Sequence, residues 1–131
     1  MQRRSVRVLV VADDAEVRAT RARDLELGGH EVCGTSDGAH LAARVRAGRP
    51  EALLVVAPGS TSELRMLLSR ARDAAEAALP ALLLFPNDSL WLHAALPNDL
   101  APAVALATSA TDASSIGEAL TALLAGAPRT R

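Results

Sequence analysis

The chain has 131 residues, half of them apolar, with 14 cationic and 15 anionic side chains, the profile of one globular domain long enough to bury a core. A net charge of −1 leaves no positive surplus to draw nucleic acid or a membrane surface, and a lone cysteine, Cys33, excludes an internal disulfide framework and any cysteine-rich metal site. All 14 cations are arginine, so chemistry that requires a lysine is excluded as well.

The apolar run from Val6 to Val11 meets Asp13 and Asp14. It is too short for a signal segment or a membrane span, so a reducing, cytoplasmic setting is expected, and the run predicts the first strand. A helix is predicted from about Ala15 to Leu27, stopped by Gly28 and Gly29. On it Arg18, Arg21 and Arg23 interleave with Glu16, Asp24 and Glu26, the pattern of a solvated, salt-bridged face. The second strand, Glu31 to Gly34, carries Cys33 as a small buried hydrophobe. The second helix, from about Gly38 to Ala47, is expected to stop at Gly48. Ala52 to Val56 reads as the third strand. Ser60-Thr61-Ser62-Glu63 is a capping box opening the third helix, which places Leu64, Leu67, Leu68, Ala71, Ala75 and Ala78 on one face before Pro80. Then follow a fourth strand, Ala81 to Phe85, a short helix, Ser89 to Leu96, closed by Pro97, and a fifth strand, Ala103 to Ala107. A last helix is opened by Ser115 and Glu118 and carries Ile116, Leu120, Leu123 and Leu124.

Strands apolar on both faces and joined by helices require a parallel sheet, because each right-handed crossover lays its helix on one face. The expected architecture is therefore α/β, a doubly wound three-layer sandwich in one domain over residues 1–131, with its core between 6 and 125. Sites in such folds lie at the carboxyl ends of the strands. Here the corresponding loops start at Ala12, Thr35, Ala57, Pro86 and Thr108.

At these positions the chain resembles the receiver domains of two-component response regulators. Val8-Leu9-Val10-Val11-Ala12-Asp13-Asp14, then Glu16-Val17-Arg18, Gly29-His30-Glu31-Val32, Asp37-Gly38 and Ala47 through Val56 carry the likeness. The resemblance implies a flavodoxin-like, five-stranded sheet of order 2-1-3-4-5. It also implies phosphoryl transfer to an aspartate ending the third strand, assisted by carboxylates that hold Mg²⁺, a Ser or Thr after the fourth strand and a Lys after the fifth. In this register Val56 stands at the nucleophile and Ala12 at the first metal carboxylate. Phe85 takes the hydroxyl position, Thr108 or Ser109 the lysine position, and Leu106 the aromatic switch. Asp13 alone persists, with Asp14 beside it. The chain therefore resembles a degenerate receiver, and the two aspartates are read as N-cap chemistry for the first helix.

Elsewhere, Pro58-Gly59-Ser60-Thr61 opens a helix after a strand but lacks the glycines and lysine of a phosphate loop, so a turn with an N-cap is expected. His30, His40 and His93 have no metal-ligand spacing. No nucleophile and base pair is evident, and no catalysis, cofactor or metal is expected. The segment holding Leu90, Trp91, Leu92 and Leu96 has more large apolar residues than one buried stripe accommodates. It lies within residues 80–127, which hold four acidic residues and no arginine or lysine. Trp91 fills the core or anchors an interface. If an interface, it belongs to the face of helix 4, strand 5 and helix 5, used for a protein partner, a homodimer or an output domain of a larger regulator. The expected function is phosphorylation-independent signalling by protein contact. The alternative is a small-molecule or anion site in the loops after the third and fourth strands.

Overall fold

Alternation of side chains along each strand builds the architecture. The computed structural model describes residues 6–56, 61–85, 103–107, 116 and 118–122. Its strands are β1 (Arg7–Val11), β2 (Glu31–Ser36), β3 (Ala52–Val56), β4 (Ala81–Phe85) and β5 (Ala103–Ala107). They pair in parallel in the order β2-β1-β3-β4-β5. With a side-chain period of two, Leu9, Val11, Leu53, Val55 and Leu83 enter one core, while Val8, Val10, Leu54, Leu82 and Leu84 enter a second on the opposite face.

Helices α2 (Leu41–Gly48) and α3 (Thr61–Ala75) cover the first core through Leu41, Val45, Leu64, Leu67, Leu68 and Ala71. Helix α1 (Ala15–Leu27) and the helical residues around Ile116 and Leu120 cover the second. This is the expected α/β fold with a parallel sheet. No helix among the described residues is long and apolar enough to cross a membrane.

Several local expectations are corrected. β1 begins at Arg7 instead of Val6, and β2 runs two residues past Gly34, to Ser36. The loop after it therefore starts at Asp37 and not at Thr35. α2 starts at Leu41 because the Asp37 carboxylate accepts the backbone N–H of His40 at 3.0 Å and holds the preceding residues in a turn. α2 does stop at Gly48, but the glycine is its last helical residue, and the left-handed cap is Arg49 at φ 49° and ψ 57°. The glycine at 48 serves packing instead, since a Cβ there would stand 2.9 Å from Cys33 Sγ. α3 ends at Ala75, so Ala78 lies beyond it, exposed.

Cys33, expected to be buried, is half-buried on the outermost strand. Val8 pairs with Val32 and Leu9 with Gly34, so Cys33 is the extra residue of a β-bulge. Its Sγ donates to the Val8 carbonyl at 3.5 Å, and burial pushes the thiol pKa above its ordinary value.

Candidate functional site

The carboxyl ends of β1 and β3 lie side by side, and what they present is mostly apolar. Ala12, just past β1, is buried, and its N–H donates to the Ser36 carbonyl at 3.0 Å, tying it to the end of β2. Ser36 is also buried, with its hydroxyl donating to the Asp37 carbonyl at 2.6 Å. Val56 ends β3 half-buried and shares a recess with Ala12, Asp13, Gly38, Glu63 and Leu67. The recess has a volume of about 30 Å³, room for one or two waters. Gly38 closes it tightly, because a Cβ there would sit 3.0 Å from Leu67 Cδ2.

The two aspartates separate in role. Asp14 is the N-cap of α1, its carboxylate accepting the N–H groups of Glu16 at 2.8 Å and Val17 at 3.1 Å. Asp13 is exposed at the rim of the recess, where Glu63 of α3 is the other carboxylate. Among the described residues, no group of three or more His, Cys, Asp or Glu is placed to hold a metal ion.

This end of the sheet also holds an arginine expected on a solvated face. Arg18 Nη1 donates to the Ala12 carbonyl at 2.5 Å and to the Asp13 carbonyl at 3.0 Å, so the guanidinium folds back over the turn between β1 and α1. Arg21 does form the expected ion pair, with Asp24 at 3.2 Å. The sequence signal for Arg18 was its place one turn into a helix that follows a strand directly. From there a long side chain reaches the carbonyls at the strand end. Glu63, read as part of a capping box, lines the recess for a similar reason, since the first turn of α3 faces the end of β3.

Arg18 also acts electrostatically on Asp37, whose carboxyl is held below its ordinary value chiefly by its hydrogen bonds with the His40 ring and backbone. The Asp37 and His40 side chains meet at 2.8 Å, both on the surface. His30, at the opposite end of the sheet, is buried and accepts the Val6 N–H on Nδ1 at 3.2 Å. The histidines at 30 and 40 are thus separate structural groups.

Phe85 ends β4 in register with Ala107 of β5. Ser109 and Thr108, the turn at Pro58 to Ser60, and the segment with Leu90, Trp91, Leu92, His93 and Leu96 lie outside the described residues.

No protein-family model and no curated protein matches this chain. Solved structures do. The signal receiver domain of the putative response regulator NarL from Mycobacterium tuberculosis superposes with a TM-score of 0.69 at 24% identity, covering 93% of this chain and 98% of that one. The chemotaxis protein CheY4 of Vibrio cholerae gives 0.69 at 16%, covering 92% and 99%. The receiver domain of the Erythrobacter litoralis PhyR response regulator gives 0.67 at 14%, covering 97% and 95%. The fold of this chain is the fold of response-regulator receiver domains.

Proposed function

We propose that the chain is a receiver-like signalling module that works by protein–protein contact and takes up no phosphoryl group at the end of β3. The observation that carries this reading is Val56, a branched alkyl side chain at the strand end, half-buried beside Ala12 in a recess of about 30 Å³. An alkyl group has no lone pair with which to attack phosphorus. The chain also contains no lysine to neutralise phosphoryl oxygens, and Arg18 spends its Nη1 on the carbonyls of Ala12 and Asp13. Incubation with acetyl phosphate and Mg²⁺ tests this by intact mass. No adduct is expected, and a stoichiometric phosphorylated product at Asp13 or Asp14 would refute the reading.

The contact surface we assign to this role is the segment holding Leu90, Trp91, Leu92 and Leu96. Low charge and a large aromatic anchor suit the centre of an interface, where desolvating charge is costly. Sedimentation of wild type and Trp91→Ala, with urea melts alongside, separates the two roles open to Trp91. An interface residue weakens association and leaves stability nearly unchanged. A core residue costs about 3–5 kcal/mol of stability.

A further inference from the structure

At the amino-terminal end of the sheet, opposite the strand ends just described, α2 and α3 finish side by side over a groove of about 490 Å³. That volume is in the range of ligand sites. The floor is apolar, formed by Val45, Pro50, Ala75 and Leu79, and the rim carries Arg46 and Arg49 on one side and Glu76 on the other.

Two observations mark this rim. The first is backbone conformation. Arg49 and Glu76 each follow the end of a helix in the left-handed region, at φ 49° and φ 56°, and they are the two non-glycine residues with positive φ among those described. Glycine is the usual occupant of such caps because it has no Cβ to clash, so two long charged side chains are held here at a steric cost. The second is unspent charge. Arg7, Arg18, Arg21 and Arg72 donate to carbonyls or carboxylates. Arg46 and Arg49 are exposed, and among the described residues their guanidinium groups make no hydrogen bond or ion pair. Arg44 and Arg70, on the same two helices, are exposed and unengaged as well. The rim of the groove thus carries two unengaged arginines against one glutamate, in a chain whose overall charge is −1.

We infer that this groove docks an acidic peptide segment of a protein partner, with an apolar side chain against Ala74 and Ala75 and carboxylates on Arg46 and Arg49. Guanidinium groups bind carboxylates in a bidentate geometry, which gives the site direction as well as attraction. Glu76 on the facing wall is an acceptor for a peptide N–H, a donor that a peptide backbone supplies and a sugar-phosphate backbone does not. The inference stands apart from the reading of Val56, because the groove and the strand ends lie at opposite ends of the sheet.

The test is an NMR titration of the ¹⁵N-labelled chain with a short synthetic peptide carrying paired glutamates flanked by leucines. Its lysine counterpart and a single-stranded oligothymidine serve as competing probes. Amide shifts are expected at Val45, Arg46, Arg49, Ala75 and Glu76, for the glutamate peptide only, and weakening with added salt. Arg46→Glu combined with Arg49→Glu should weaken binding about tenfold or more. Arg49→Gly is the control for folding: it should weaken binding while the urea midpoint holds or rises, because the cap favours glycine. No shifts in the groove, equal binding of the lysine peptide, tighter binding of the oligothymidine, or indifference to the arginine substitutions would each overturn the inference.

Discussion

At Gly48 a hydrogen stands where any other residue would put carbon 2.9 Å from Cys33 Sγ and 3.3 Å from the Cys33 carbonyl. Helix propensity alone makes Gly48→Ala stabilising by about 1 kcal/mol, but the new Cβ overlaps Cys33 Sγ and presses on the Cys33 carbonyl, so the thiol must turn and the strand must give slightly. We expect a net loss of about 1–3 kcal/mol in urea unfolding, reduced when Cys33→Ala is added; additive losses would disprove the contact. Val56→Asp would bring a third carboxylate to the recess that Asp13 and Glu63 already line. Like charges in a half-buried recess disfavour one another, so this variant should lose about 1–3 kcal/mol at neutral pH and gain no phosphorylation. A third expectation concerns acid. Asp37 is held below its ordinary carboxyl value by His40, so the folded state favours the ionised form. Its contribution is present above the unfolded-chain pKa and disappears as pH falls through the folded one. Asp37→Asn should therefore narrow its stability gap to wild type in acid, read from urea melts across that range.

Helix α1 rests on little. Leu25 is its only buried residue, with Ala22 partly buried, and the helix is otherwise held by the Asp14 cap, the Arg21 to Asp24 pair and the Arg18 bonds to the Ala12 and Asp13 carbonyls. Leu25→Ala should cost about 2–5 kcal/mol and Asp14→Ala about 1 kcal/mol. Circular dichroism melts would show both as a lower midpoint. The same helix shows what was legible in the sequence. Its boundaries at Ala15 and Leu27, and those of β3, β4 and β5, follow from local signals: an acidic cap, a glycine pair and short apolar runs. What was not legible depended on residues distant in sequence. Gly48 reads as a cap until Cys33 of β2 is seen packed against it, and Arg18 reads as a surface cation until the ends of β1 come within its reach. The apolar strand end at Val56 was readable because it needs only the register of one strand. The groove between α2 and α3 was not, since its rim is set by two left-handed caps that no propensity predicts.

The two cores of the molecule share β1, β3 and β4, with neighbouring residues of each strand pointing to opposite sides. Removing side chains from one core therefore loosens the sheet that supports the other. Leu53→Ala and Leu54→Ala face opposite cores, and each should lower a single, common unfolding transition by about 2–5 kcal/mol. Two separate transitions, by fluorescence and circular dichroism, would show the cores to be independent.

The bulge at Cys33 bears on how the molecule avoids its own kind. β2 is an outer strand, and such a strand offers a row of amides and carbonyls on which a neighbouring chain can extend the sheet. An incoming strand needs a regular ladder, and the unpaired residue at position 33 interrupts that spacing in the middle of β2. Glu31, charged and exposed, begins the same strand. This edge of the sheet is thus a poor template for fibrillar growth, and encounters between copies along it fall to side-chain surfaces instead of backbone.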